Sequence, residues 1–154
     1  MSDDRPKVLV VDDEMGPRES LRMILKPRYE IAVADSGEAA LKTLSTFRPD
    51  LIFMDIKMPQ MDGIELLRRI KGTDPSIEVV MITAYASLET VKNALTHGAF
   101  EYLIKPFSRQ DLEDTARRAL ARRQTELGTR NQLAALVNEM RAQAAKTRSR
   151  ELET

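Results

Sequence analysis

Short apolar runs alternate with longer stretches of helical periodicity along this chain. The runs are Lys7–Val11 (KVLVV), Glu30–Ala34 (EIAVA), Leu51–Met54 (LIFM), Glu78–Ile82 (EVVMI) and Glu101–Ile104 (EYLI). An apolar run closed by turn residues marks a strand buried on both faces. Between them, Leu21, Ile24 and Leu25 within Pro17–Lys26, Ala39, Ala40 and Leu44 within Ser36–Thr46, and Ile64, Leu67 and Ile70 within Gly63–Lys71 recur at helical spacing. Pro17 suits the first turn of a helix, Ser36 and Ser87 suit N-caps, and Gly98 closes a helix running from Ser87 to His97. Ser108 with Asp111 resembles a capping box opening a last helix. Strand starts recur roughly every 23 residues, leaving room for one crossover helix each. The expected fold is therefore α/β, a doubly wound five-stranded parallel sheet of order 2-1-3-4-5 with helices on both faces.

Parallel strands share one carboxyl edge, where open α/β sheets bind ligands. Asp12 and Asp13 follow the first strand, Asp55 the third, Thr83 the fourth and Lys105 the fifth. The first and third strands flank the topological switch point, so three carboxylates converge there with a hydroxyl and an ammonium at the rim. A lone Asp at a strand end is ordinarily a turn cap; the company of the other four changes that reading. Three close carboxylates need a compensating cation beyond Lys105. Mg²⁺ fits, because it takes oxygen ligands at about 2.0–2.1 Å and keeps positions for water and phosphate. Zn²⁺ is disfavoured, since the chain has one His, His97, and no Cys.

Composition narrows the setting. Apolar residues make up 42% of the 154 positions, enough for a core. Lys+Arg and Asp+Glu balance at 24 each, but residues 1–107 carry 14 basic and 17 acidic groups and residues 108–154 carry 10 and 7. Neither block has the basic density of a nucleic-acid binder, so no direct nucleic-acid contact is expected. The lack of Cys, of any apolar run near the ~20 residues that span a bilayer, and of an apolar leader after MSDDRPK fits a soluble cytoplasmic protein with no membrane contact.

Four motifs now stand in order at strand ends: Asp12-Asp13, Asp55-x-x-Met58-Pro59-x-Met61-Asp62-Gly63, Thr83-Ala84 and Lys105-Pro106-Phe107. Over about residues 5–122 the chain resembles the receiver domain of two-component response regulators, a flavodoxin-like fold. The resemblance implies that Asp55 is the phosphoacceptor, taking a phosphoryl group from the phosphohistidine of a sensor histidine kinase. It implies Mg²⁺ held by Asp12, Asp13, Asp55 and the backbone carbonyl of Lys57. Thr83 and Lys105 would contact phosphoryl oxygens, and the Lys105-Pro106 bond would be cis. Thr83 and Tyr102 would form a switch, Thr83 moving toward the phosphoryl group and Tyr102 turning inward behind it; otherwise Tyr102 is a half-exposed strand tyrosine. Lys57 and Tyr85, two residues beyond Asp55 and Thr83, are bulky enough to obstruct an in-line water, which implies slow self-dephosphorylation; Lys57 is otherwise an ordinary solvated lysine. Glu14 either extends the acidic cluster or is solvated, and His97 suits the negative end of its helix. The chain would be a phosphoacceptor, not an enzyme.

The receiver is expected to end near Arg122, leaving 123–154 as a helical, coiled-coil-like tail. Residues 108–154 contain one Gly, Gly128, and no Pro. Ala116, Leu120, Arg123, Leu127, Arg130, Ala134 and Val137 follow heptad-like steps that two arginines interrupt, and Leu133, Val137, Met140 and Ala144 make a cleaner stripe. A homodimer through this extended C-terminal helix is expected, with fraying after about Lys146; the other reading is a charged helix that orders with a downstream domain. Thr83–Phe107 is similar to receivers of enhancer-binding transcription activators, implying an output domain that controls transcription. A single-domain regulator signalling through its tail is the alternative. A Mg²⁺-dependent phosphatase with Asp55 as nucleophile would want a second Asp where Lys57 stands, and a flavodoxin would not place Asp12-Asp13-Glu14 against its cofactor phosphate.

Overall fold

The computed structural model describes residues 4–84 and 87–153, with side chains as far as Arg148. Tyr85 lies outside the described residues. The elements, in chain order, are β1 (Lys7–Val11), α1 (Met15–Leu25), β2 (Glu30–Ala34), α2 (Gly37–Phe47), β3 (Leu51–Asp55), α3 (Gly63–Thr73), β4 (Glu78–Thr83), α4 (Leu88–Thr96), β5 (Glu101–Ile104) and α5 (Arg109–Glu153). The strands form one parallel sheet of order β2-β1-β3-β4-β5, as the apolar runs predict.

Strand alternation sorts the interior into two clusters. Leu9, Ile52, Met54, Val79 and Met81 face one side, beneath Leu66, Leu67 and Ile70 of α3 and Ala40 and Leu44 of α2. Val8, Val10, Phe53, Val80 and Ile82 face the other, beneath Leu21 and Leu25 of α1 and Leu112, Ala116 and Ala119 of α5. Each such Val, Leu, Ile, Phe or Met side chain, once removed from water, contributes roughly 1.5–3 kcal/mol. Leu67 and Ile70 are buried as expected, and Leu66 joins them where Ile64 packs only partly.

The helix caps follow the sequence signals. Ser36 Oγ accepts the Ala39 N–H at 3.1 Å and Ser87 Oγ accepts the Thr90 N–H at 3.1 Å. Ser108 and Asp111 cap reciprocally: Asp111 N–H donates to Ser108 Oγ at 3.0 Å and Ser108 N–H to Asp111 Oδ2 at 3.2 Å. Gly98 adopts φ +100°, the left-handed conformation that ends α4 without a Cβ penalty. Helix α1 begins at Met15, ahead of Pro17, which still falls in the first turn. Helix α5 runs to Glu153, past the Lys146 where fraying is expected.

Contacts divide the chain into two units, one ending at Arg123 and one beginning at Gln124. The first is the sheet with its helices. The second is a helical segment whose Leu133, Leu136 and Met140 are all more than half exposed (59%, 53% and 64%).

Candidate functional site

Register explains why distant residues meet. In the β1–β3 pairing Val11 lies opposite Met54, so the next residues, Asp12 and Asp55, emerge side by side. The Asp12 N–H extends the ladder to the Ala34 carbonyl at 3.1 Å. In β4, Ile82 pairs with Asp55 and Thr83 with Ile104, which brings Lys105 to the same edge; its N–H donates to the Thr83 carbonyl at 2.8 Å.

Carboxylate oxygens of Asp12, Asp13 and Asp55 lie within 4.8 Å of one another. Lys105 Nζ stands 3.7 Å from Asp55 Oδ2 and 3.8 Å from Asp12 Oδ2, an ion pair with both. Asp12 is buried, Asp55 half-buried and Asp13 exposed, so the cluster opens to solvent on one side. Two backbone amides serve it: Glu14 N–H donates to Asp12 Oδ1 at 2.9 Å and Lys57 N–H to Asp55 Oδ1 at 3.1 Å. With all three acids ionised, one ammonium leaves two negative charges in excess. Like charges about 4 Å apart cost from about 1 kcal/mol in water to about 4 kcal/mol near a protein surface.

The Asp12 carboxyl titrates above the ordinary carboxylate range. Burial is the largest cause; the Glu14 N–H opposes it, the charge of Asp55 adds to it, Lys105 opposes it, and Asp13 adds again. A hard cation coordinated by these oxygens would reverse that preference. All-oxygen donors, an open side and an excess of negative charge fit Mg²⁺.

The remaining expected residues fall as follows. Thr83, the last residue of β4, is buried beside the cluster's edge. The side chain of Lys57 is exposed. Tyr102 pairs in register with Met81 and packs against the cluster beneath α3, its hydroxyl shielded from solvent without a hydrogen-bond partner among the described residues. The residue as a whole is half-buried, with only its hydroxyl fully shielded. The Lys105-Pro106 bond is cis. Glu14 is exposed and is the N-cap residue of α1; its amide, not its carboxylate, serves the site. His97 ends α4, its Nδ1 2.8 Å from the Asn93 carbonyl.

Three further residues shape the site and are not singled out by strand-end reasoning. Arg18 Nη1 donates to the Asp12 carbonyl at 2.8 Å, tying α1 to the acidic turn. Met58 is buried beneath the β3–α3 loop. Gly63 packs directly on the backbone of residues 55 and 56, and its N–H donates to the Ile56 carbonyl at 2.8 Å. Met58 and Gly63 had signals in the sequence, as parts of the Met58-Pro59 and Asp62-Gly63 pairs, and Arg18 had none. Arg123, an interruption of the heptad-like seam, turns toward the sheet and bonds Asp50 and Ser76.

A parallel 2-1-3-4-5 sheet with an acidic pocket at its switch point and a lysine one residue beyond the fifth strand is the arrangement that the resemblance to receiver domains implies. Residues 8–117 match the response regulator receiver domain, and the chain belongs to that family. It is 41% identical over 122 residues to the transcriptional regulatory protein ZraR of Escherichia coli (strain K12), covering 79% of this chain and 28% of that protein. It is 37% identical over 115 residues to sporulation initiation phosphotransferase F of Bacillus subtilis, covering 74% and 93%. Among solved structures, the CheY-like receiver domain protein of Methanospirillum hungatei JF-1 superposes with a TM-score of 0.77 at 31% identity, over 80% of this chain and 99% of that one. The NtrX receiver domain of Brucella abortus gives 0.71 at 36%, over 74% and 98%. The chain thus spans about a quarter of the length of transcriptional regulatory relatives and nearly all of the sporulation protein. No helix among the described residues is long and apolar enough to cross a membrane.

Proposed function

We propose that Asp55 accepts a phosphoryl group from a sensor histidine kinase and that this modification controls an output through the C-terminal helix. The observation that carries the proposal is the convergence on Asp55 of two further carboxylates and of Lys105 Nζ at 3.7 Å.

An Asp55 carboxylate oxygen attacks phosphorus, the nitrogen–phosphorus bond of the donor breaks, and its electron pair leaves with the imidazole. An acyl phosphate on Asp55 and a free histidine result. Lys105 moves its charge from the two carboxylates toward a phosphoryl oxygen, and Thr83 donates its hydroxyl to another. Such positioned charges are what phosphoryl transfer requires. Asp12, Asp13, Asp55 and the Lys57 carbonyl would hold Mg²⁺, which supplies neutralisation of the phosphoryl charge. Tyr102 reports the change from its place beside β4, through its packing against the cluster beneath α3. The chain turns over no substrate of its own.

Residues 1–122 serve as receiver and 123–154 as the helical tail, in a cytoplasmic protein. The tail's exposed stripe of Leu133, Val137, Met140 and Ala144 supports a homodimer. The 41% identity to a transcriptional regulatory protein supports a transcriptional output from a larger protein. The match to 93% of a sporulation phosphotransferase supports a second reading, a single-domain regulator.

Incubation with acetyl phosphate and Mg²⁺ tests the site. Intact mass should rise by one phosphoryl group in the wild type and stay unchanged in Asp55→Asn. A wild type that stays unmodified would refute the reading.

A further inference from the structure

The opposite edge of the sheet carries a second polar cluster, and it holds α5. Arg123 Nε donates to Asp50 Oδ1 at 3.0 Å, and its Nη1 donates to the Ser76 carbonyl at 3.2 Å and to Ser76 Oγ at 2.9 Å. Ser76 is itself fixed, its N–H and hydroxyl donating to Asp74 Oδ1 at 2.9 and 2.6 Å. Asp50 is a hub: its Oδ2 accepts the Lys7 N–H at 2.9 Å, its N–H donates to the Lys7 carbonyl at 2.8 Å, and its carbonyl accepts the Glu78 N–H at 3.1 Å. One residue earlier on α5, Arg122 Nε stands 3.8 Å from Glu78 Oε2, a carboxylate 1% exposed.

Apolar packing of α5 in the core cluster reaches Ala119 and Leu120, these two arginines tie the next turn to the sheet, and the compact unit ends at Arg123. Charge-assisted hydrogen bonds of this kind are short and directional, so their strength depends on where Asp50 and Ser76 sit. Their location is equally specific. Asp50 immediately precedes β3, and Asp55 is the last residue of β3. The four residues between them are at most 1% exposed and packed on both faces, so the strand moves as a unit.

We propose that the Arg123–Asp50–Ser76 clamp is the point at which the state of Asp55 is read by α5, through β3. This rests on the reading of Asp55 as phosphoacceptor. A phosphoryl group that draws the carboxyl end of β3 toward Lys105 shifts Asp50 with it and alters the geometry of the clamp, which either holds or releases the last turn of α5 within the unit. Arg123 is a positioning residue here; it lies on the edge away from the reacting atoms.

Hydrogen exchange of the whole chain, wild type beside Arg123→Met and Asp50→Asn, tests this. Met keeps an unbranched stem and loses the donors. Asn keeps the shape but places an N–H₂ against one of two donors, Lys7 N–H or Arg123. Without ligand, both variants should exchange amides 119–127 about tenfold faster or more, the loss expected for charged hydrogen bonds. Acetyl phosphate should label Asp55 equally in all three. Beryllofluoride with Mg²⁺ should change exchange at 119–127 at least about twofold in the wild type and leave it unchanged in both variants. Unchanged basal exchange, a labelled wild type with no response at 119–127, or variants that respond like the wild type would each overturn the proposal. Failure of the wild type to be labelled would instead remove the phosphoacceptor reading, and the basal comparison would still judge the clamp.

Discussion

A Cβ on Gly63 would lie 2.6 Å from the carbonyl oxygen of Asp55 and 2.8 Å from Cα of Ile56. Helix α3 therefore starts in contact with the backbone of the strand end that presents Asp55, and only glycine permits that approach. The contact fixes the direction in which Asp55 leaves the sheet. Gly63→Ala should destabilise the fold by about 1–3 kcal/mol, the usual cost of overpacking against atoms that cannot move aside. Because the displaced atoms belong to residues 55 and 56, phosphorylation by acetyl phosphate should slow as well. Urea unfolding and labelling rates measure the two effects.

Asp12 makes stability depend on pH and on Mg²⁺ in opposite senses. Its carboxyl in the folded protein titrates above its unfolded value, chiefly because it is buried. Between the two values the folded protein holds the proton more tightly than the unfolded chain does, so stability falls as pH rises through that window. Above the folded value the full cost of the ionised group remains. Metal-free Asp12→Asn should therefore be more stable than the wild type near neutral pH, with the advantage shrinking as pH falls toward the ordinary carboxylate range of about 4. Added Mg²⁺ should stabilise the wild type and not the variant. Denaturation from about pH 4 to pH 8, with and without Mg²⁺, decides both signs.

Tyr102 should carry a removable cost. Its hydroxyl is shielded from water with no hydrogen-bond partner among the described residues, and a buried unpaired polar group costs about 1–3 kcal/mol. Tyr102→Phe keeps the ring and removes the oxygen. The variant should match or exceed wild-type stability by up to about 1 kcal/mol in thermal denaturation. A marked loss would show that the hydroxyl is satisfied in solution.

The sheet, its order and the meeting of Asp12, Asp13, Asp55 and Lys105 were legible because each depends on one local signal repeated along the chain. An apolar run ending in a polar residue locates a strand and its carboxyl edge together, and parallel pairing then brings those edges to one place. Gly63, Arg18 and Arg123 were less legible, because what each touches is set by tertiary approach. The sequence marks Gly63 as a turn residue but not as the one that must lack a side chain against Asp55. Arg18 reaches a backbone carbonyl, an acceptor that every residue carries. Arg123 sits at heptad spacing in a charged helix, and nothing in that spacing shows that Asp50, 73 residues earlier, accepts its Nε–H.

The helix beyond Gln124 should associate through one stripe. Leu133, Val137, Met140 and Ala144 recur at four- and three-residue steps, and the first three are exposed by 59%, 36% and 64% in the single chain. A seam that narrow matches a two-helix contact rather than a core. Paired Leu133→Asp and Met140→Asp substitutions put carboxylates on that stripe without touching any residue of the compact unit. Losing the burial of two such side chains per chain, at roughly 1.5–3 kcal/mol each, should weaken self-association at least about a hundredfold. Acetyl phosphate should still label Asp55 at the wild-type rate, because the acidic pocket and Lys105 lie wholly within residues 12–105. Analytical ultracentrifugation beside labelling separates the two. If the doubly substituted protein stays dimeric, association runs through the receiver unit and the stripe serves another helix.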